Sequence, residues 1–144
     1  MLIKSVRAVR VAAPEPGPAT PPRRPSWHET IVRGTRMSPY RDHDPSPATV
    51  GAPRDAVWAC IEAEDGTWGL GLTGFGDPVA KVIDGHLAPL LVGQDCFATQ
   101  LASDVMWRAT SAYGSTGLAA CAISAANLAL WDLVGKLLEQ PVYR

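Results

Sequence analysis

The sequence predicts an α+β domain, with a small antiparallel sheet built from an N-terminal strand and a hairpin, followed by three helices on one face of that sheet. Three observations carry this. Apolar residues alternate near the N-terminus, a cleaner alternation flanks Asp65-Gly66, and from Asp77 onward the apolar residues recur at helical spacing.

Leu2, Val6, Val9 and Val11, with Ile3 and Ala8, form an imperfect alternation broken by Lys4, Arg7 and Arg10, which reads as a strand over about residues 2–13. A long loop over 14–54 follows. Ten of the thirteen prolines lie between Pro14 and Pro53. Proline fixes φ and removes a donor, which rules out a regular helix or a central strand here. A short extended piece at about Glu29–Arg33 interrupts the loop.

The hairpin occupies residues 55–75. Val57, Ala59, Ile61 and Ala63 fall on one face and Trp58, Cys60, Glu62 and Glu64 on the other. Asp65-Gly66 is expected to supply the positive φ angles of a tight turn, and Thr67–Thr73 to return as the partner strand.

Three helices are expected over 77–138. Asp77 is expected to cap the first, with Pro78 at its first position and Val79, Ala80, Ile83, Leu87 and Leu90 on its apolar face. The second, about Phe97–Ala112, is expected to pack through Leu101, Val105, Ala109 and Ala112, leaving Asp104 and Arg108 to pair at i, i+4 outside. Ser115 or Thr116 is expected to cap the third, about Gly117–Leu138.

That last helix is unusually apolar. Ala119, Ala120, Ile123, Ala126, Leu130, Trp131, Leu133, Val134, Leu137 and Leu138 fill an arc of about 160°, wider than the roughly 100° stripe that one partner requires. It reads as a central helix covered on two sides. Ser124, Asn127, Asp132 and Lys136 interrupt it short of the ~20 apolar residues of a membrane span.

An apolar fraction of 47% with 19% charged residues is that of a globular protein with a core, and no membrane association is expected. The net charge of -1 conceals an asymmetry: residues 1–54 hold nine basic and four acidic side chains, residues 55–144 four and ten. The basic half is also the proline-rich half. Without an aromatic ladder or a recognition-helix pattern it suggests weak anion steering rather than nucleic-acid binding. Cys60, Cys96 and Cys121 are widely spaced and read as buried thiols of a cytoplasmic protein. The charges at Lys4, Arg7 and Arg10 leave no room for a signal-peptide core.

Little in the residues points to catalysis. Gly69 to Gly76 is glycine-rich but lies in the return strand, with the wrong spacing for a dinucleotide fingerprint. Gly114-Ser115-Thr116-Gly117 is a helix entry rather than a nucleophile elbow. Asp42, His43 and Asp44 sit between prolines and do not make a rigid carboxylate cage, so neither a metal site nor a catalytic residue is expected. What remains is the basic and aromatic content of the long loop: Trp27, His28, Arg33, Arg36, Tyr40, Arg41 and His43. Guanidinium forks take carboxylates in two-point fashion, and Tyr and His bond hydroxyls, a combination suited to a polyhydroxy acid.

Ser124-Ala-Ala-Asn-Leu-Ala-Leu-Trp131-Asp132-Leu-Val-Gly135-Lys136, closing on Pro141-Val142-Tyr143-Arg144, resembles the end of the capping domain in the mandelate racemase and muconate lactonizing enzyme branch of the enolase superfamily. Ala63 to Gly69 resembles the family's hairpin, and His86 to Asp95 its first-helix exit. Met37-Ser38-Pro39-Tyr40-Arg41-Asp42 resembles more narrowly the sugar-acid dehydratase branch, most nearly its L-rhamnonate dehydratases.

The resemblance implies a cap that closes over a (β/α)-barrel and helps to set specificity. The barrel would carry the Mg²⁺ carboxylates and acid/base residues for removal of the proton α to a carboxylate and loss of the β-hydroxyl as water. A barrel alone takes about 250 residues, so none fits in this chain. The expectation is a truncated or split cap that is inactive alone and binds no Mg²⁺ itself, its barrel lying in cis or on another chain and the intact enzyme forming a homo-oligomer. His28, Arg36, Tyr40 and Arg41 are the implied substrate contacts. Where the family places a further basic contact this chain has Pro45-Ser46-Pro47, which leaves the identity of the sugar acid open. Two alternatives stand beside this reading: a free-standing interaction module docking through the last helix, and a non-functional gene fragment.

Overall fold

The computed structural model describes residues 1–10, 56–114 and 116–143. The chain divides into two units, Met1–Val11 with Asp55–Arg144, and Ala12–Arg54; the described residues all belong to the first. Strands β1 (Ile3–Arg10), β2 (Val57–Ala63) and β3 (Trp68–Thr73) form one antiparallel sheet in the order β1-β2-β3. The helices are α1 (Gly76–Val82), a π-helical turn (Ile83–Leu87) leading into α2 (Ala88–Leu91), then α3 (Thr99–Thr110) and α4 (Leu118–Leu137). The predicted α+β class holds, as does the predicted order of sheet and then helices.

The pairing explains which sheet face is buried. Val6, Ile61 and Gly69 lie across from one another, as do Ala8, Ala59 and Gly71, so small and branched residues share the inner face. Helix α4 lies on it. A methyl group added at Gly69 would overlap the Ala129 carbonyl oxygen, and one at Gly71 the Ala125 carbonyl oxygen, so the two glycines form a groove in which the helix backbone sits directly on β3. Alanines 122, 125, 126 and 129 are buried at this contact, with Ile123, Leu130 and Leu133 beside them. Val79, Ile83, Leu87 and Leu91 complete the core from the first helical run. Each fully buried Leu or Ile contributes about 1.5–3 kcal/mol.

Helix α4 is long and apolar enough to cross a membrane by length and composition, with a mean hydropathy of 1.6 over its most apolar stretch, half of which is buried inside this fold. Packing against both sheet and helices accounts for that composition.

Four local expectations are corrected. Of the two turn residues Asp65 and Gly66, only Gly66 has positive φ, at 88°; Asp65 instead accepts a hydrogen bond from the Thr67 N–H through Oδ1 at 2.9 Å. Helix α1 starts at Gly76, so Asp77 is a first-turn residue rather than its cap. Pro78 still costs no bond there, because the first four N–H groups of a helix have no partner within it. No side-chain cap precedes α4: Gly117 fills that position at φ 61° and ψ −127°, a conformation open mainly to glycine.

The fourth correction concerns α3, which buries Thr99, Ala102, Met106 and Thr110 rather than the predicted face. Leu101 and Ala112 are exposed, and Val105 and Ala109 half-buried. The helix is turned by one residue because threonine can go inside: Thr110 Oγ1 donates to the Met106 carbonyl at 3.0 Å or the Trp107 carbonyl at 3.1 Å, so its burial orphans no donor. The outward Asp104–Arg108 pair forms as expected, at 2.8 Å.

Candidate functional site: the loop end of the sheet

Register places Arg10 opposite Val57 and Val57 opposite Thr73, so one end of the sheet is where the chain departs after β1 and returns before β2. The β3 exit, Thr73-Gly74-Phe75-Gly76, lies at the same end and feeds α1.

Phe75 is the unusual residue here. It has φ 66° and ψ 19°, left-handed backbone that bulky residues rarely adopt, and its ring is 51% exposed. Strain of this kind persists only where its surroundings hold it, and it gathers at ligand-contacting loops. Arg10 from β1 pairs with Asp77 in the first turn of α1, locking the strand end to the helix start. Together the end presents an apolar ring, a hydroxyl at Thr73 and a guanidinium–carboxylate pair.

The opposite end is structural. The Ile3 N–H donates to the Gln94 carbonyl at 2.8 Å, the Cys96 N–H to the Met1 carbonyl at 2.9 Å, and Leu2 bridges Asp95. Lys4 Nζ bonds Glu62 Oε1 at 2.6 Å, and that bond holds the half-buried Glu62 carboxyl below its ordinary range. Burial pushes the Cys96 thiol up, away from reactivity. Cys60 is likewise buried, whereas Cys121 is half-buried.

Both sheet edges are closed by helix carboxylates. The π turn brings Asp84 to β1, where Oδ1 accepts from the Ala8 N–H at 2.6 Å. On β3, Asp132 Oδ2 accepts from the Leu70 N–H at 2.8 Å, and Lys136 donates both to Asp132 at 2.8 Å and to the Trp68 carbonyl at 2.9 Å. The Lys136 ammonium also stands 4.1 Å from the Trp68 ring centroid. The Trp131-Asp132 to Lys136 motif is therefore an edge clamp in this fold.

All four expected substrate contacts, His28, Arg36, Tyr40 and Arg41, lie outside the described residues, as do Asp42, His43 and Asp44. Among the described residues no three His, Cys, Asp or Glu side chains come together to hold a metal ion, so they do not fit a Mg²⁺ centre. Sequence reasoning missed Phe75 and the Arg10–Asp77 pair. Backbone strain has no sequence signature at an aromatic residue, and the ion pair joins positions 67 apart in the chain.

Residues 32–144 match the N-terminal domain of mandelate racemase / muconate lactonizing enzymes. The chain belongs to that family. The matched span includes Arg36, Tyr40 and Arg41 and leaves His28 outside. An L-rhamnonate dehydratase of Saccharopolyspora erythraea is 46% identical over 83 residues, 58% of this chain and 21% of that protein. The crystal structure of L-rhamnonate dehydratase from Gibberella zeae aligns with 99% of this chain and 33% of its own, at 27% identity and a TM-score of 0.73. A mandelate racemase/muconate lactonizing protein from Paracoccus denitrificans, complexed with magnesium, aligns with 99% of this chain and 29% of its own, at 27% identity and a TM-score of 0.70. The chain thus spans between about a fifth and a third of the length of these relatives. Its sheet and helices are the capping domain of the enolase superfamily.

Proposed function

We propose that residues 1–144 form the capping, specificity-setting domain of a Mg²⁺-dependent sugar-acid dehydratase of the cytoplasm. The observation that carries this reading is the alignment of almost the whole chain with a third of an L-rhamnonate dehydratase. In such an enzyme the chain recognises substrate, and the proton abstraction and loss of the β-hydroxyl belong to a (β/α)-barrel, in cis or on another chain. Arg36 and Arg41 bind the carboxylate, and Tyr40 and His28 bond the hydroxyls. The outward stripe of α4, with Leu128, Trp131 and Leu138 all exposed, is the surface that the barrel would cover.

The test is kinetic. In a protein that joins residues 1–144 to a barrel, Arg36→Ala or Arg41→Ala is expected to lower kcat/KM for the sugar acid by about 10- to 100-fold, as for loss of a charged hydrogen bond of ~1.5–3 kcal/mol. Unchanged kinetics would return both arginines to the solvated surface. The 144-residue chain alone is expected to release no 2-keto-3-deoxy product with Mg²⁺ present; turnover by it would overturn the assignment of the chemistry to the barrel.

A further inference from the structure

Helix α3 is lightly held. It buries Thr99, Ala102, Met106 and Thr110, of which Met106 alone is a large apolar side chain, whereas α4 buries Ile123, Leu130, Leu133 and Val134 besides its alanines. No side-chain cap holds the N-terminus of α3, and Thr110 and Ser111 direct their hydroxyls to carbonyls of the same helix. The Asp104–Arg108 pair is internal as well. Among the described residues, one hydrogen bond runs from residues 97–113 to another strand or helix: His86 Nδ1 and the Tyr113 hydroxyl lie 2.6 Å apart, a bond that either imidazole tautomer makes, with the ring centroids 5.4 Å apart.

We infer that α3 opens from the sheet and α4 as one unit while the rest of the domain stays folded, and that the His86–Tyr113 bond is the latch that keeps it seated. Regions with few buried apolar side chains open at lower free energy than the core. The sheet and α4 do not depend on α3, because the Gly69–Gly71 groove holds α4 on β3 and the first helical run closes the core beside it. An isolated helix shorter than ~12–15 residues is marginal in water, so the 12 residues of α3 lose their internal hydrogen bonds once they leave the seat. The latch stands at the place where the opening is controlled. Tyr113 follows the last turn of α3 and precedes Gly114, whose φ of 99° turns the chain away toward α4. His86 comes from the π-helical turn, which also sends Asp84 to β1 and so fixes the latch to the sheet. The inference is independent of the substrate that the domain serves.

The test is native-state amide hydrogen exchange of the 144-residue chain, read residue by residue. After correction for intrinsic rates, amides 103–110 are expected to exchange together, at least about tenfold faster than those of residues 59–61 and 129–134. Tyr113→Phe keeps the ring and removes only the hydroxyl; it should speed exchange of the whole of 103–110 by about 3- to 10-fold and leave β2 and α4 unchanged. His86→Ala should do the same, and Tyr113→Phe should add nothing in a His86→Ala background. Amides of α3 as slow as those of the sheet would overturn the inference, as would variants that leave α3 exchange unchanged. Acceleration confined to residues 109–113 would mean fraying of the last turn, and equal acceleration throughout the domain a general loss of stability; either result would also overturn it.

Discussion

Helices α3 and α4 are both written as apolar patterns at helical spacing, yet α4 keeps most of its predicted arc inside, with Trp131 and Leu138 left exposed, while α3 is turned by a residue. In α4 the apolar arc is broad enough to pack against both the sheet and the first helical run, and the finer orientation follows from the alanine ridge that fits the Gly69–Gly71 groove. In α3 the apolar residues are fewer, and Thr99 and Thr110 compete with Leu101 for the interior. Thr110 enters because its hydroxyl finds carbonyl partners on its own helix. Hydrophobicity orients a helix when the stripe is dense; shape and local hydrogen bonding decide when it is sparse.

Substitutions can break this contrast at either helix. The largest effect is expected at the groove: Gly71→Val drives a side chain into the Ala125 carbonyl and should cost about 4 kcal/mol or more in urea unfolding. Gly74→Ala, which meets open space, should stay within about 0.5 kcal/mol. Next comes α3: Met106→Ala removes a fully buried side chain and should cost about 2–3 kcal/mol, against about 0.5 kcal/mol or less for Leu101→Ala. Equal costs at the two positions would mean that the helix is not turned as described.

Asp132→Ala opens the β3 edge, strands the Leu70 N–H and removes one of the partners of Lys136; the loss should be about 1 kcal/mol, since the clamp is partly exposed, with faster aggregation as a second readout. The smallest change has the opposite sign. Glu139 sits at φ 51° after α4, where the Gln140 N–H donates to the Gly135 carbonyl and the Glu139 N–H to that of Lys136, so Glu139→Gly should stabilise by a few tenths up to about 1 kcal/mol. Destabilisation there would show that the Glu139 side chain contributes a contact of its own.

The sheet, the hairpin with Asp65-Gly66 at its tip and the three helical runs were all legible in the sequence, because alternation and 3.6-residue spacing are local properties. Of the candidate site, the sequence names a class of chemistry at His28, Arg36, Tyr40 and Arg41, all of which lie outside the described residues. Phe75 was not, because its left-handed backbone is imposed by the junction of β3 and α1 rather than by its own preference. The Arg10–Asp77 pair and the Asp132–Leu70 clamp were illegible for another reason: each joins positions more than sixty residues apart, and nothing in the spacing of one announces the other.

The sequence by itself determined the fold class, the order of elements and the family, since periodicity, turn chemistry and motif wording all reside in short stretches of chain. Only the tertiary structure decided which face of α3 goes inside, why β3 needs two glycines, and what closes the edges of the sheet. Those outcomes depend on distances between atoms far apart in the chain, and close packing admits one arrangement where local pattern admits several.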